Sequence, residues 1–286
     1  MSNIQNFEPN FYEKSKDFRV NIVLKSFEDL FHLVKWKENG GDSAIDVGCG
    51  VGDTTKSCIY PLLPKNYSLL VCLDLSTEML EMARKNFSGI TRTNFIQLDV
   101  GSSITDAKRN ELGLFDHVFS TLCLCYVKNQ KQAFQNIFSI LHPGGDILIS
   151  FQAIAPVVEI LYKMAERSKW RKTLADIDTY CPYPYRKDPH PKETIENLLK
   201  SVGFVDIVVK ISDSYDIIET EEAFKEFVKS FPMCNTVPAD EEQEFFQDAV
   251  ELAISMNFIT EHLKNEPPMK NSIRRMIRMF ARKPAL

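Results

Sequence analysis

The chain lacks any run of roughly 18 apolar residues, so its sequence offers no membrane span. Its opening stretch, MSNIQNFEPNFYEKSKDF, is polar and has no apolar core segment, so no secretory leader is expected. Positive charge is not in excess. Lys and Arg number 34 against 39 Asp and Glu, for a formal net charge of −5. Nucleic acid and anionic membrane are poor partners for such a chain unless a basic patch is concentrated somewhere. The one basic cluster, IRRMIRMFARK, suits an anion patch or, more readily, the solvated face of a last sheet strand. Metal-ligand spacing is also missing: the seven cysteines are odd in number and form no paired motif. No metal is expected, and reduced thiols point to the cytoplasm. Cys123 and Cys125 read as opposite faces of one strand. Histidine is scarce, at five, and glycine, at 11, is thin for 286 residues.

What remains is an ordinary globular composition, 44% hydrophobic and 26% charged. Phe11 to Lys37 carries apolar residues at helical spacing and reads as one or two amphipathic helices after a loose start over residues 1–10. From residue 43 onward, strand and helix patterns alternate. The strands are SAIDVG, YSLLVCLDLS, TNFIQLDV, FDHVFSTLCL and DILISFQA, with helices near 52–60, 77–87, 103–112 and 130–141. The strands are nearly continuous apolar runs, as expected when both faces of a parallel sheet are covered. Such alternation predicts a doubly wound α/β sheet. Further on, Pro156 to Trp170 reads as a helix that continues after a break to Tyr180, and CPYPYRKDPHP, with four prolines, is irregular. Helices follow at 192–201, 221–230 and 239–263, a strand at FVDIVVKISDSYDI, and a last segment, SIRRMIRMFARK, that periodicity leaves open between strand and helix.

The organising stretch is AIDVGCGVGDTT. Strand one ends in Asp46 and breaks into Gly48, Cys49, Gly50 and Gly52. Glycines let a backbone come close to a ligand, and the helix behind them aims unpaired N–H groups at it. Asp74 and Asp99 end the next two strands, so all three carboxylates converge on one sheet edge. Asp74 is placed to take ribose hydroxyls. Carboxylates on both sides of the glycines suit an adenosine bearing a sulfonium and an ammonium better than a pyrophosphate, which they would repel.

IDVGCGVG, VCLDLSTEML, QLDV, FDHVFSTLCLCYV and LHPGG occur in the order found in class I S-adenosylmethionine-dependent methyltransferases, which the chain resembles over roughly residues 40 to 155. Within that family it looks most like the insect juvenile hormone acid methyltransferases, through VKWKENGGDSAIDVGCG, the helix AFQNIF, Lys169–Trp170, SVGF and the terminal ARK. The resemblance implies a Rossmann-like, mostly parallel methyltransferase sheet under an α-helical substrate cap. It divides the chain into an N-terminal helical cap (1–40), a cofactor-binding core (41–155), and cap insertions with the last strands (156–286). It implies S-adenosyl-L-methionine as cofactor. Asp46, Gly48, Cys49 and Gly50 would lie against the methionine part, Asp74, Leu75 and Ser76 against the ribose, and Asp99 and Val100 against the adenine. Thr121 and Leu122 would pass beneath, and Tyr12 would cover it. Phe11 and Ser15, beside Tyr12, would face the acceptor.

Two positions depart from the hormone enzymes. A His-Trp pair after strand four is Cys125–Tyr126 here, and a helix glutamine appears as Arg19. Arg19 suits a carboxylate as a bidentate clamp, or an ion pair at the surface. Trp170, with Phe11, Tyr126, Tyr183 and Tyr185, suits an aromatic acceptor pocket or the core. His190, in KDPHPKE, suits a base for a phenol or an exposed helix start. His142 belongs to a turn, and His32, His117 and His262 carry no chemical signal. The expected function is O-methylation of a small apolar molecule, first a carboxylic acid of the juvenile hormone acid or farnesoic acid type. Alternatives are a small phenol or, in another class, an inactive ligand carrier. The expected partner is a small molecule, with no nucleic acid, membrane or obligate protein partner.

Overall fold

The computed structural model describes residues 9–14, 16–215, 218–259 and 273–285, with the side chains at 11, 13, 14, 18, 215, 232 and 235 left undescribed. Seven strands form one sheet in the order β3-β2-β1-β4-β5-β7-β6. They are β1 (Ser43–Val47), β2 (Leu69–Asp74), β3 (Thr93–Gln97), β4 (Phe115–Thr121), β5 (Leu141–Ile154), β6 (Val205–Tyr215) and β7 (Ile273–Arg282). The first five pair in parallel, and β7 runs antiparallel between β5 and β6. This is the doubly wound α/β sheet that the alternating pattern predicts, and it settles SIRRMIRMFARK as a strand.

Ten helices flank it among the described residues: α1 (Pro9–Lys14), α2 (Lys16–Phe27), α3 (Thr77–Asn86), α4 (Asp106–Leu112), α5 (Gln130–Ser139), α6 (Pro156–Glu166), α7 (Ile177–Tyr180), α8 (Pro191–Val202), α9 (Glu221–Lys229) and α10 (Glu242–Ser255). Their ends follow local chemistry. Ser76, Thr105, Asn129 and Thr220 accept a backbone N–H at the starts of α3, α4, α5 and α9. Gly203, at φ 112°, closes α8. The period-two alternation of the strands splits the core. Val118 and Ile147 face α5, α6 and α8, whereas Phe119 and Leu148 face α2 and α3.

Several boundaries differ from the sequence reading. β4 stops at Thr121 because Leu122 takes φ 56°. Leu124–Tyr126 is a short 3-10 turn, so Cys123 and Cys125 do not share a strand. The segment behind the glycines is a π-helical turn, Thr55–Ile59. The helix expected over 239–263 ends at Ser255, α1 already begins at Pro9 within the start expected to be loose over 1–10, and residues 1–8 and 260–263 lie outside the described residues. The basic cluster is neither an anion patch nor a simple solvated face. Arg275, Arg278 and Arg282 pair with Asp213, Asp29 and Asp206, and Arg274 is buried.

At the opposite sheet edge from the glycines, His117 is clamped between two buried carboxylates. Its Nδ1 lies 2.7 Å from Asp146 and its Nε2 lies 3.1 Å from Asp42, with the Trp36 ring 4.3 Å away. Burial works against a charged imidazole, but Asp146 and then Asp42 outweigh it and hold the pKa above the ordinary histidine value.

Candidate active site

The carboxyl ends of β1, β2, β3 and β4 open into a cleft of ≈ 370 Å³. Its floor is the glycine turn. Gly48 N and Cys49 N both donate to Leu73 O, at 2.7 and 2.9 Å, which folds the turn back onto β2. Gly48 has φ 79°, and a Cβ there would sit 2.1 Å from Cys123 Sγ, so the position admits no side chain. Gly50 N donates to Asp74 Oδ2 at 2.7 Å and Ser76 N donates to Oδ1 at 3.0 Å. Burial raises the Asp74 pKa, and these N–H donors oppose the rise. Asp99 is held by Gly101 N and by the Ser102 hydroxyl, at 2.8 and 2.6 Å.

Of the residues singled out in the sequence, Tyr12, Gly48, Gly50, Asp74, Leu75, Ser76, Asp99, Val100, Leu122 and Tyr126 line the cleft. Asp46, Cys49 and Thr121 lie beneath its wall. Asp46 is fully buried, its Oδ2 accepts from Thr55 Oγ1 at 2.5 Å, and Oδ1 has no donor among the described residues. Burial, with the Asp74 and Asp53 charges adding, lifts Asp46 to about 7 against the Thr55 hydrogen bond. Thr121 Oγ1 meets Thr54 Oγ1 at 3.0 Å. Residues that the sequence reading missed include Met79, Cys123, Val127, Asn129 and Thr179. Val127 and Asn129 follow directly on the β4 segment, which is a usable signal. Thr179 comes from α7 and has none.

The acceptor expectations fare differently. Arg19 is not in the cleft. Its guanidinium is buried, pairs with Asp53, donates to Tyr12 O and stacks 3.6 Å over the Tyr12 ring. It therefore ties α2 to α1 and to the glycine turn. His190 is exposed at the start of α8, in a groove with Ile211, Asp213 and Arg275 at the β6 edge of the sheet. The cleft lies over β1 to β4, several strands away, so His190 is not placed to serve as a base there. Trp170 is wholly buried, donates Nε1–H to Asp248 Oδ2 at 2.5 Å and packs edge-on to Phe245 of α10. It is a core residue. Tyr185 is buried too and donates to Gln130 Oε1 at 3.3 Å. Ser15 and the Phe11 side chain lie outside the described residues.

Tyr126 marks the far end of the cleft. Its ring meets that of Tyr183 edge-on at 5.5 Å, and beyond it a second, small cavity begins. Burial pushes the Cys123 thiol and the Tyr126 and Tyr183 phenols well above their ordinary values, and Cys125 up to about 12. Among the described residues no histidine lines the cleft. Among the described residues no cluster of His, Cys, Asp and Glu is suited to a metal ion, and no helix is long and apolar enough to cross a membrane.

Residues 45–149 match the family model for a methyltransferase domain. Over 278 residues the chain is 33% identical to the juvenile hormone acid O-methyltransferase of Drosophila melanogaster, covering 96% of this chain and 92% of that one. It is 30% identical to the Bombyx mori enzyme of the same name, over 96% of each. Among solved structures, Haemonchus contortus phosphoethanolamine N-methyltransferase 2 in complex with S-adenosyl-L-methionine superposes with a TM-score of 0.51 at 20% identity. That match covers 91% of this chain and 52% of the worm enzyme, and it speaks for the fold alone. The glycine turn, the acids that end β1 to β3 and the near full-length identity agree: the chain belongs to the class I S-adenosylmethionine-dependent methyltransferases, in the branch that holds the insect juvenile hormone acid O-methyltransferases.

Proposed function

We propose that this enzyme methylates the carboxylate of a small apolar acid, of the juvenile hormone acid or farnesoic acid type. S-adenosylmethionine, when bound, supplies a methyl carbon on a positively charged sulfur. Three features of the chain fit that donor. Gly48, where a Cβ would collide with Cys123, brings bare backbone to the cleft wall. Asp46 keeps a buried carboxylate oxygen without a donor, which suits an ammonium. Asp74 has both oxygens fixed by backbone N–H groups at the cleft wall, with lone pairs left for hydroxyls. Leu75 and Ser76 would flank the ribose, Asp99 and Val100 the adenine, and Tyr12 of α1 the top.

The observation that carries the acceptor assignment is the protonation of the groups at the Tyr126 end of the cleft. The thiols and phenols there are held protonated, and among the described residues no histidine lines the cleft. A carboxylate, with an ordinary pKa near 4, arrives already ionised, whereas a phenol near 10 needs a base. The work of the protein is then to hold a carboxylate oxygen in line with the methyl carbon in a dry, apolar site. Helices α1 and α9, packed on one another, and α7, which brings Thr179 to the cleft, serve as the cap that excludes water. The two insect relatives support the same reading by name.

The test is transfer of a labelled methyl group to farnesoic acid and to simple phenols between pH 6 and 9. Acid methylation with a flat profile is expected. Turnover of phenols alone, with rates rising toward high pH, would overturn the reading. Tight donor binding with no product from either class would point to a carrier.

A further inference from the structure

We propose that Arg19 is a positioning residue for the methyl donor: pivoted on Asp53, its guanidinium holds Tyr12 as a lid over the glycine turn and so sets how fast the donor and its product exchange. The inference rests on the donor-site reading above and adds the group that keeps that site covered. Tyr12 belongs to α1 and lines the cleft. The edge of its ring that carries the hydroxyl stands over Gly50. A Cβ built on that glycine would lie 3.5 Å from Tyr12 Cε1 and 4.0 Å from Cζ and Oη, so a single methyl group would fill the space between. Gly50 N in turn donates to Asp74 at 2.7 Å. The lid therefore closes on the part of the turn that fixes the carboxylate assigned to the ribose.

One guanidinium holds the ring in place. Arg19 of α2 lies 3.6 Å from the centroid of the Tyr12 ring, which puts it on the ring face. Its Nη1 donates to the Tyr12 carbonyl, and its Nη2 pairs with Asp53 Oδ2. Asp53 follows Gly52 directly, and its other oxygen accepts from Thr54 N at 2.8 Å, so this carboxylate is fixed to the turn itself. Arg19 and Asp53 are each 4% exposed. Removal from water strengthens both the ion pair and the stack on the ring. The planar fork of arginine meets ring, carbonyl and carboxylate at once, which the compact ammonium of a lysine does not reproduce. The floor of the donor site and its cover are thus tied to the same cation. The lid is also continuous with the acceptor's cover, since α1 packs against α9. For the donor or S-adenosylhomocysteine to pass, the Tyr12 ring must part from Arg19, and loss of that stack adds to the barrier for exchange.

The test times release of labelled S-adenosylhomocysteine from the full chain after an unlabelled chase, in the wild type, Tyr12→Leu, Arg19→Lys and the double variant. Each single variant should speed release about tenfold, the size expected for a desolvated cation–π contact. Each should raise KM for S-adenosylmethionine and leave KM for the acid within about twofold. The double variant should release ligand no faster than either single one, since both changes remove one contact. Tyr12→Phe, which keeps the stack, should lose less than Tyr12→Leu. Effects that multiply in the double variant, as a general loosening of the fold would produce, refute the tie, and so does an unchanged release rate in Tyr12→Leu. A rise in KM for the acid alone in Arg19→Lys would make Arg19 an acceptor group and overturn the proposal as well. Should Arg19→Lys fail to fold, Arg19→Gln combined with Asp53→Asn takes its place, because it removes both charges and leaves neither buried alone. A wild type that binds no S-adenosylhomocysteine overturns the donor-site reading itself, and that result appears before any variant is made.

Discussion

Replacing Asp46 by Asn should stabilise the protein without its donor, and by an amount that grows with pH. In the fold the carboxyl of Asp46 titrates at about 7, because burial disfavours its charged form, whereas in the unfolded chain it has the ordinary value of 3.8. The folded pKa is raised, so the contribution to stability is full below pH 4 and is lost as pH rises through 7. Between pH 5 and pH 8 the loss for wild type comes to about 2.6 kcal/mol from these two values. Asn carries no charge at either pH, and its Oδ1 can still accept from Thr55. For a chain of this size 1 kcal/mol moves Tm by roughly 2–4 °C. The Tm difference between Asp46→Asn and wild type should therefore widen by roughly 5–10 °C from pH 5 to pH 8. An ammonium beside Oδ1 favours the ionised carboxylate, so saturating S-adenosylhomocysteine should narrow the gap at pH 8. Thermal melts at the two pH values, with and without that ligand, provide the measurement. Parallel pH dependence in both proteins would refute the assignment of a buried, poorly compensated carboxylate.

Gly48→Ala should weaken S-adenosylhomocysteine about tenfold or more and lower stability by about 2–4 kcal/mol, since it adds a clash with Cys123 to an unfavourable φ. Adding Cys123→Gly should return part of the stability and little of the affinity, readable by melts and calorimetry. His117→Asn should cost about 3–5 kcal/mol, because Asp42 and Asp146 remain buried without their cation. The His117 contribution is present below the ordinary histidine value near 6.5 and is lost as pH rises through the higher folded value, so denaturant midpoints of variant and wild type should converge at alkaline pH. Trp170→Phe should lower the melting temperature through loss of the Asp248 hydrogen bond while leaving acceptor KM unchanged, and His190→Ala should leave kcat unchanged in steady-state assays.

The sheet and its donor edge are legible in the sequence because they rest on local signals. Apolar strands, capping residues and a glycine turn each declare themselves within about ten residues, and parallel order then places Asp74 and Asp99 on one edge. Residues whose role depends on a distant partner do not declare themselves. Arg19 reads equally as a clamp or an ion pair until Asp53, on the glycine turn, is brought against it. Trp170 has the same apolar body and polar tip in a pocket as in a core, and Asp248, 78 residues away, decides the matter. His190 stands in a proline-rich loop whose sequence does not say which strand it will flank. The apolar run past Thr121 conceals the end of β4, because a single positive φ at Leu122 leaves no compositional trace. Arg274 reads as one more member of its basic cluster, although strand alternation gives it the opposite face from Arg275.

Because β7 lies between β5 and β6, the sheet is not built in the order in which the ribosome delivers it. Strands β1 to β5 find their parallel neighbours as they emerge, but β6 has no partner until residue 273 follows it, 58 residues after Tyr215. At ordinary elongation rates that interval is about 3–12 s. During it the apolar edge of β5, Ile147 to Phe151, is open to pairing with other chains, a hazard that a chaperone or rapid completion must cover. The glycine turn and Asp74 are already available in this period. A nascent chain thus completes the sheet edge that carries the cleft before it closes the far side of the sheet.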